Sequence, residues 1–133
     1  MKEEQIKNIL QKHKISYEVH GSICGTIKAS EGAYNNGLGN MMHTMKDHMI
    51  HIGQSGVAII AIDDNRGSLK EDTLTYFPKE HIRSISIKMK LFTFQLLIVT
   101  DKGEVCYKIR RSALGAPWHK ENLSYLLLKQ LQC

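Results

Sequence analysis

The chain has 133 residues, 42% of them hydrophobic and 23% charged, and its net charge is +5 with neutral histidines. This size fits one domain, and the composition excludes intrinsically disordered, collagen-like and coiled-coil proteins. The charged start is unlike a signal peptide, and no apolar stretch approaches the ~20 residues of a membrane-spanning helix. Three scattered cysteines without a metal-binding spacing are typical of a reducing compartment, so we expect a cytoplasmic protein.

In chain order, the first half predicts a helix, an interrupted strand region, a loop and a short second helix. Residues 1–14 carry apolar side chains at spacings of three and four, which is the pattern of an amphipathic helix. Residues 15–29 mix β-favouring side chains with two glycines and predict broken strand. Residues 31–40 are rich in glycine and asparagine, which favours a loop. The segment Met41–Met49 has methionines along one side if it is helical.

Five strand-like segments follow one another in the second half of the chain. Polar and apolar residues alternate along two of them, and the alternation shifts by one residue near Lys90–Phe92, which predicts a tight turn there. Thr100–Glu104 is a hairpin signal with a glycine at the position that favours positive φ. The five segments are 57–62, 73–77, 83–91, 92–99 and 105–111.

A helical stripe of leucines follows the helix-starting pair Ala116-Pro117 and runs to the C-terminus. Because short turns rather than crossover helices join the strands, the pattern disfavours a parallel sheet. We therefore expect a single domain over residues 1–133, of the α+β class and mainly β. Its architecture would be a bent antiparallel sheet or partly open barrel, capped by a C-terminal helix and accompanied by an N-terminal one.

Four stretches of the second half resemble bacterial pleckstrin-homology-like (PH-like) domains. The stretches are Val57–Ile62, Tyr76–Ile82, Phe94–Thr100 and the hairpin Asp101–Gly103. In that family a strand often ends in a short polar segment before an isoleucine or valine enters the next strand, as Pro78–Ile82 does here. The resemblance is clearest over residues 57–131, whereas residues 31–49 depart from it. It implies a strongly bent antiparallel sheet and a non-enzymatic binding or scaffolding role with no catalytic residues and no cofactor.

Histidines and acidic residues offer an alternative, a small metal-dependent enzyme. On a helix His43 and Asp47 would share one face, since they are four residues apart. Asp63 or Asp64 would add a carboxylate, although these residues also have the composition of an ordinary turn. The competing interpretation is a surface segment with solvated histidines. The metal-ligating candidates are His43, Asp47, His48 and His51.

Basic residues provide the most plausible binding surface. Lys88 and Lys90 share the outward face of one predicted strand, and Lys108 and Arg110 share that of another. If these strands are neighbours, their charges form one patch that can attract anionic lipid head groups or the phosphates of a nucleic acid. A nucleic-acid-binding protein is therefore a further alternative, and a merely solvated surface is the simplest one. The candidate ligand-binding residues are Lys79, Lys88, Lys90, Lys108 and Arg110.

Two apolar side chains, Leu97 and Val99, point outward in the predicted strand phase. Exposed apolar patches usually mark an interaction surface. We expect the N-terminal helix or a second subunit to cover them. The sequence thus predicts a protein partner or self-association.

Overall fold

The computed structural model describes residues 1–28, 46–63, 65–113 and 115–131 of the chain. Within these residues the fold is mainly β, with helix α1 (Glu3–Lys12) near the start and helix α2 (His119–Leu131) at the end. A short 3-10 turn, Lys79–His81, joins the fourth and fifth strands. The strands are β1 (Ser22–Ile27), β2 (Asp47–Ile52), β3 (Gly56–Ile62), β4 (Leu69–Pro78), β5 (Ile82–Met89), β6 (Phe94–Thr100) and β7 (Gly103–Ile109).

All seven strands belong to one antiparallel sheet, in the order β4-β3-β2-β1-β7-β6-β5. The two edge strands, β4 and β5, are consecutive in the chain. A flat sheet of this size would hold its edges about 29 Å apart, whereas the chain from Pro78 to Ile82 spans at most about 14 Å. The sheet must therefore bend until its edges approach, as in a partly open barrel. This confirms the predicted fold class and agrees with a PH-like arrangement.

The main hydrophobic core fills the inside of the bent sheet. Every strand contributes buried apolar side chains to it, because alternate residues of each strand face inward. Helix α2 adds Leu123 and Leu126 to the same core. The C-terminal helix therefore caps the sheet, as its leucine pattern predicts.

A second, smaller core lies on the outer face of the sheet beneath α1. Ile6 and Leu10 of this helix pack with Met49, Ala58 and Ile60. Strand β3 consequently has both faces covered, which explains why it reads as a continuous apolar run. Neither described helix has the length and apolar character needed to cross a bilayer.

The predicted helix Met41–Met49 is wrong where the structure describes it. Residues 47–52 form strand β2, which pairs with β1 on one side and β3 on the other. Hydrogen bonding to two neighbours outweighs a weak helical pattern in so short a segment. Residues 29–45, with the predicted loop 31–40, lie outside the described residues.

The expected cover for Leu97 and Val99 is also wrong in one respect. Both side chains lie on the outer face and are half-buried, as the strand phase predicts. Helix α1, however, packs over β2 and β3, on the other side of β1 in the sheet. Helix α1 lies over these strands because its apolar side chains, Ile6 and Leu10, pack against the outward apolar residues of β2 and β3.

Several element boundaries differ from the prediction, most of them by one to four residues; β4, for example, begins at Leu69 rather than at residue 73. Only the later part of residues 15–29 is strand, since His20 has a φ of 66° and the backbone there is not extended. The C-terminal helix begins at His119, after a turn in which the Ala116 N–H donates to the Ala113 carbonyl at 3.2 Å. The predicted tight turn near Lys90–Phe92 is confirmed, with Met89 paired to Phe94 across it.

Candidate functional site

A cleft of about 420 Å³ opens on the outer face of the sheet, where β1, β2 and β7 meet two loop segments, residues 66–67 after β3 and residues 110–113 after β7. The antiparallel register places Lys108 beside Thr26 and Thr26 beside Asp47, so the three side chains form one row across the cleft. The Thr26 hydroxyl donates to Asp47 Oδ1 at 2.8 Å. Arg110 and Arg66 complete the polar lining from the two loops.

Positive charge exceeds negative charge in this cleft. Three cationic side chains, Arg66, Lys108 and Arg110, stand against the two carboxylates of Asp47 and Asp63. Asp47 accepts the Thr26 hydroxyl, and Asp63 accepts the backbone N–H of a turn residue at 2.9 Å. Among the described residues, none of the three cations forms a salt bridge. The cleft is therefore suited to an anion, because guanidinium groups bind phosphate and carboxylate oxygens in pairs.

A buried histidine, His119 at the start of α2, forms the support beneath the cleft. The β1–β7 ladder has only two register pairs, and its continuation would pair Cys24 with Arg110. The His119 imidazole bridges the two backbones in place of a direct Cys24–Arg110 pair. The Cys24 N–H donates to Nδ1 at 3.0 Å, and Nε2–H donates to the Arg110 carbonyl at 2.7 Å. Because one ring nitrogen accepts and the other donates, His119 is neutral, and burial lowers its pKa. His119 thus positions the backbone that carries Arg110.

The thiol of Cys24 lines the cleft but is not a nucleophile. Burial, reinforced by the negative charge of Asp47, raises its pKa to about 12, so it is protonated near neutral pH. His20, four residues earlier, is engaged elsewhere: its Nδ1 lies 3.1 Å from Asn122 Oδ1, and its ring stacks on Tyr125. The two residues do not act as a nucleophile and base.

A polar network joins the start of the chain to α2 next to the cleft. The Asn122 amide donates to the Ser22 carbonyl at 2.8 Å and to Glu3 Oε2 at 3.0 Å. The Trp118 indole donates to the Met1 carbonyl at 3.1 Å. Sequence reasoning missed this network and His119, because their partners are about a hundred residues away along the chain. The only local signal is the three-residue spacing of His119 and Asn122, which places both polar side chains on one face of α2.

The metal-ligating candidates do not converge where the structure describes them. On strand β2, His48 faces the inner core and lies 2.6 Å from the Tyr107 hydroxyl, whereas His51 faces the outer side with Met49. Asp47 lies at the cleft. His43 and Asp64 lie outside the described residues. Within the described part of the chain, no group of three or more His, Cys, Asp or Glu residues is placed to hold a metal ion.

His51 is fully engaged in the second core. The Glu18 N–H donates to its Nε2 at 3.1 Å, so the proton is on Nδ1, which lies 2.8 Å from the Ser22 hydroxyl. Its ring stacks on Tyr17 at a centroid distance of 5.2 Å. Burial lowers the pKa of His51 to about 4, because loss of water disfavours the charged imidazolium, and the negative charges of Glu18 and Glu3 offset this only in part.

Lowering the pH from 7 to 4 is expected to destabilise the protein through His51. Its pKa falls from the usual 6.5 to about 4 on folding, so the unfolded chain takes up the proton first. The neutral His51 ring stabilises the folded state by roughly 3 kcal/mol above about pH 6.5, and this stabilisation is lost as the pH falls towards 4. The lowered pKa of His119 acts in the same direction. Urea denaturation followed by circular dichroism at several pH values measures this loss.

The variant His51→Gln isolates this contribution, with His13→Gln as its control. His13 is exposed and pairs with Glu71 on the surface. The slope of unfolding free energy against pH should flatten in His51→Gln and persist in His13→Gln. Equal slopes in both variants would contradict the assignment to His51.

The predicted basic residues are brought together in part. Lys88, Gln95 and Lys108 lie in one row across β5, β6 and β7. A smaller cleft of about 180 Å³ beside the β5–β6 turn includes Lys90 and Lys108 among its lining residues. Lys79 lies apart, at the far ends of β3 and β5, where its N–H donates to the Ser55 carbonyl.

No protein-family model matches this chain, and no curated protein matches it. Function is therefore inferred from the residues and charges of the 420 Å³ cleft on the outer face of the sheet, the outer cleft.

Proposed function

We propose that this protein is a non-enzymatic binding module of the PH-like type that holds a small anion, bearing phosphate or carboxylate groups, in the outer cleft. One observation carries the proposal: Arg66, Lys108 and Arg110 surround a single concavity and have no salt-bridge partner among the described residues. Three cations and two carboxylates leave a net positive charge in the cleft, and a bound anion would neutralise it.

The state of the reactive side chains supports binding rather than catalysis. The Cys24 thiol is protonated near neutral pH. Both ring nitrogens of His119 and of His51 are occupied by structural hydrogen bonds. A general base needs an accessible lone pair, and these two imidazoles offer none to a ligand in the cleft.

Two further expectations belong to the proposal. The free thiols of Cys24 and Cys106 favour a reducing, cytoplasmic location. The outer edges of β4 and β5, which pair with no described strand, favour a protein partner or self-association. Half-buried Leu97 and Val99 give apolar area for such a contact.

Pyrophosphate is a suitable probe, since it is small, anionic and chemically inert here. Calorimetric titration of the full chain should show saturable binding. Replacing Arg110 or Lys108 with glutamine should weaken it about fivefold or more each, because each change removes a charge-assisted hydrogen bond worth about 1 kcal/mol or more.

The matched control is Lys79→Gln, which removes an equally exposed cation at the far end of the sheet. Its affinity for pyrophosphate should equal that of the unmodified chain. Equal weakening by Lys79→Gln and Arg110→Gln would show only general attraction to a basic protein. That outcome, or the lack of any binding at millimolar pyrophosphate, would refute the cleft as the binding site.

A further inference from the structure

The tip of the β5–β6 hairpin exposes a compact group of apolar side chains. Six large hydrophobic residues are exposed among the described residues, and half of them lie within residues 89–92. Met89 is 72% exposed, Leu91 84% and Phe92 76%. The turn is held by the Lys90 N–H, which donates to the Thr93 carbonyl at 2.8 Å. These side chains are therefore presented on an ordered protrusion.

Only positive charge accompanies this tip. Residues 81–100, which include the whole hairpin, contain Arg83, Lys88 and Lys90 and no aspartate or glutamate. Among the residues that the structure describes, the smaller cleft beside the turn is lined by Lys28, Lys90 and Lys108 and by no carboxylate. Beside the turn, where Phe94 pairs with Met89, the Arg111 guanidinium lies 5.4 Å from the centre of the Phe94 ring. Apolar and cationic groups thus share one end of the sheet.

From this juxtaposition we infer that the hairpin tip docks on the surface of an anionic lipid bilayer. Met89, Leu91 and Phe92 enter the interfacial region, where their apolar surface leaves water. Lys88 and Lys90, directly beside them, meet the anionic head groups. Neither signal alone holds a small protein on a membrane, but an apolar insertion combined with a basic patch does.

The same observations disfavour the two other occupants of the tip. A nucleic acid would engage the lysines and stack on Phe92, yet it would leave Met89 and Leu91 in water. A second copy of this chain, docked tip to tip, would bring the Lys88 and Lys90 side chains of both copies together without counter-charges. An anionic bilayer satisfies the apolar and the charged groups at once.

Vesicle co-sedimentation tests the inference. The full chain should bind vesicles of phosphatidylcholine containing about one third phosphatidylglycerol, bind pure phosphatidylcholine much less, and be released as salt screens the charges. The double change Leu91→Ser and Phe92→Ser should lower the partition coefficient about tenfold or more, since two largely exposed apolar side chains are lost. The double change Lys88→Gln and Lys90→Gln should lower it about fivefold per lysine.

Two control variants distinguish binding through the hairpin tip from non-specific binding through other exposed apolar or cationic side chains. Leu128→Ser removes an apolar side chain that is 61% exposed on α2, and Lys7→Gln removes an exposed cation on α1. Both should bind vesicles like the unmodified chain. Unchanged binding by the Leu91→Ser, Phe92→Ser variant would overturn the inference, as would a preference for a single-stranded oligonucleotide over vesicles. A dimer in sedimentation that the same variant abolishes would also overturn it, because the tip would then serve self-association.

Vesicle binding by the hairpin tip can be tested separately from anion binding in the outer cleft, because residues 88–92 do not line that cleft. Arg110→Gln tests pyrophosphate binding, whereas the tip variants leave the cleft lining unchanged. Loss of vesicle binding with normal pyrophosphate affinity, or the reverse, therefore identifies which of the two proposals fails.

Discussion

Replacing His119 with alanine is expected to lower the free energy of unfolding by about 3–5 kcal/mol. The change removes an imidazole that is fully buried and leaves the Cys24 N–H and the Arg110 carbonyl without their partners. Each unsatisfied buried group costs about 1–3 kcal/mol, and the vacated volume adds to this. Urea denaturation at pH 7, followed by circular dichroism, gives the difference directly.

His81→Ala is the matched control for this variant. His81 is an exposed histidine that pairs only with Asp101 on the surface, and such a pair contributes about 1 kcal/mol or less. Pyrophosphate binding adds a second measurement, since His119→Ala should also weaken it by loosening the backbone of Arg110. A loss of stability no greater than that of His81→Ala would contradict the supporting role of His119.

Replacing Gly56 with alanine is expected to destabilise the fold by about 3 kcal/mol or more. This glycine begins β3 with a φ of 152°, a conformation that L side chains rarely adopt. An added Cβ would lie 2.2 Å from the Phe77 carbonyl oxygen and 3.0 Å from Pro78 Cα. Both atoms belong to the backbone of β4, so neither moves aside without breaking the β3–β4 pairing. Urea denaturation measures the loss.

Gly67→Ala is the corresponding control. Gly67 also has a positive φ, of 66°, but a Cβ there would have no atom within 4 Å. Only the backbone conformation is strained, at about 1–2 kcal/mol. If the two variants lose equal stability, the close approach of Gly56 to β4 is not what limits substitution.

The second half of the chain was the more predictable part of the fold. Strict alternation fixes which face of β5 and β6 is buried, and the one-residue shift between them marks the turn. Strand β2 escaped prediction because both of its faces are covered, by the inner core at Ile50 and by α1 at Met49. A strand buried on both sides does not alternate, and its histidines and methionines imitate a helical pattern.

The candidate site was predictable only where its residues share a strand. Lys108 lies on β7 and Arg110 directly follows it, so the common face that a period of two predicts for them is kept at the end of the strand. Arg66 lines the same cleft from a loop, and His119 supports the cleft from a helix through its bonds to Cys24 and Arg110. Neither residue shares a strand with Lys108, so a period of two does not bring them together. Lys79 is a cation close to Lys88 in the sequence, which is why it is predicted to belong to the same basic surface. It lies at the opposite end of the sheet, because it precedes β5 whereas Lys88 is near the end of that strand.

The sheet order has a consequence for how this chain acquires its structure. Strand β1, made early, is paired on one side with β2 and on the other with β7, and contacts such as Met1 with Gly115 join residues 114 positions apart. Closing such long loops comes late in folding, since the entropy must be lost before the contacts form. Before β7 is available to pair with β1, the first four strands can form only an open sheet whose apolar inner face is uncovered. We therefore expect cooperative folding only once β7 and α2 are available, because β7 pairs with β1 and α2 caps the inner core.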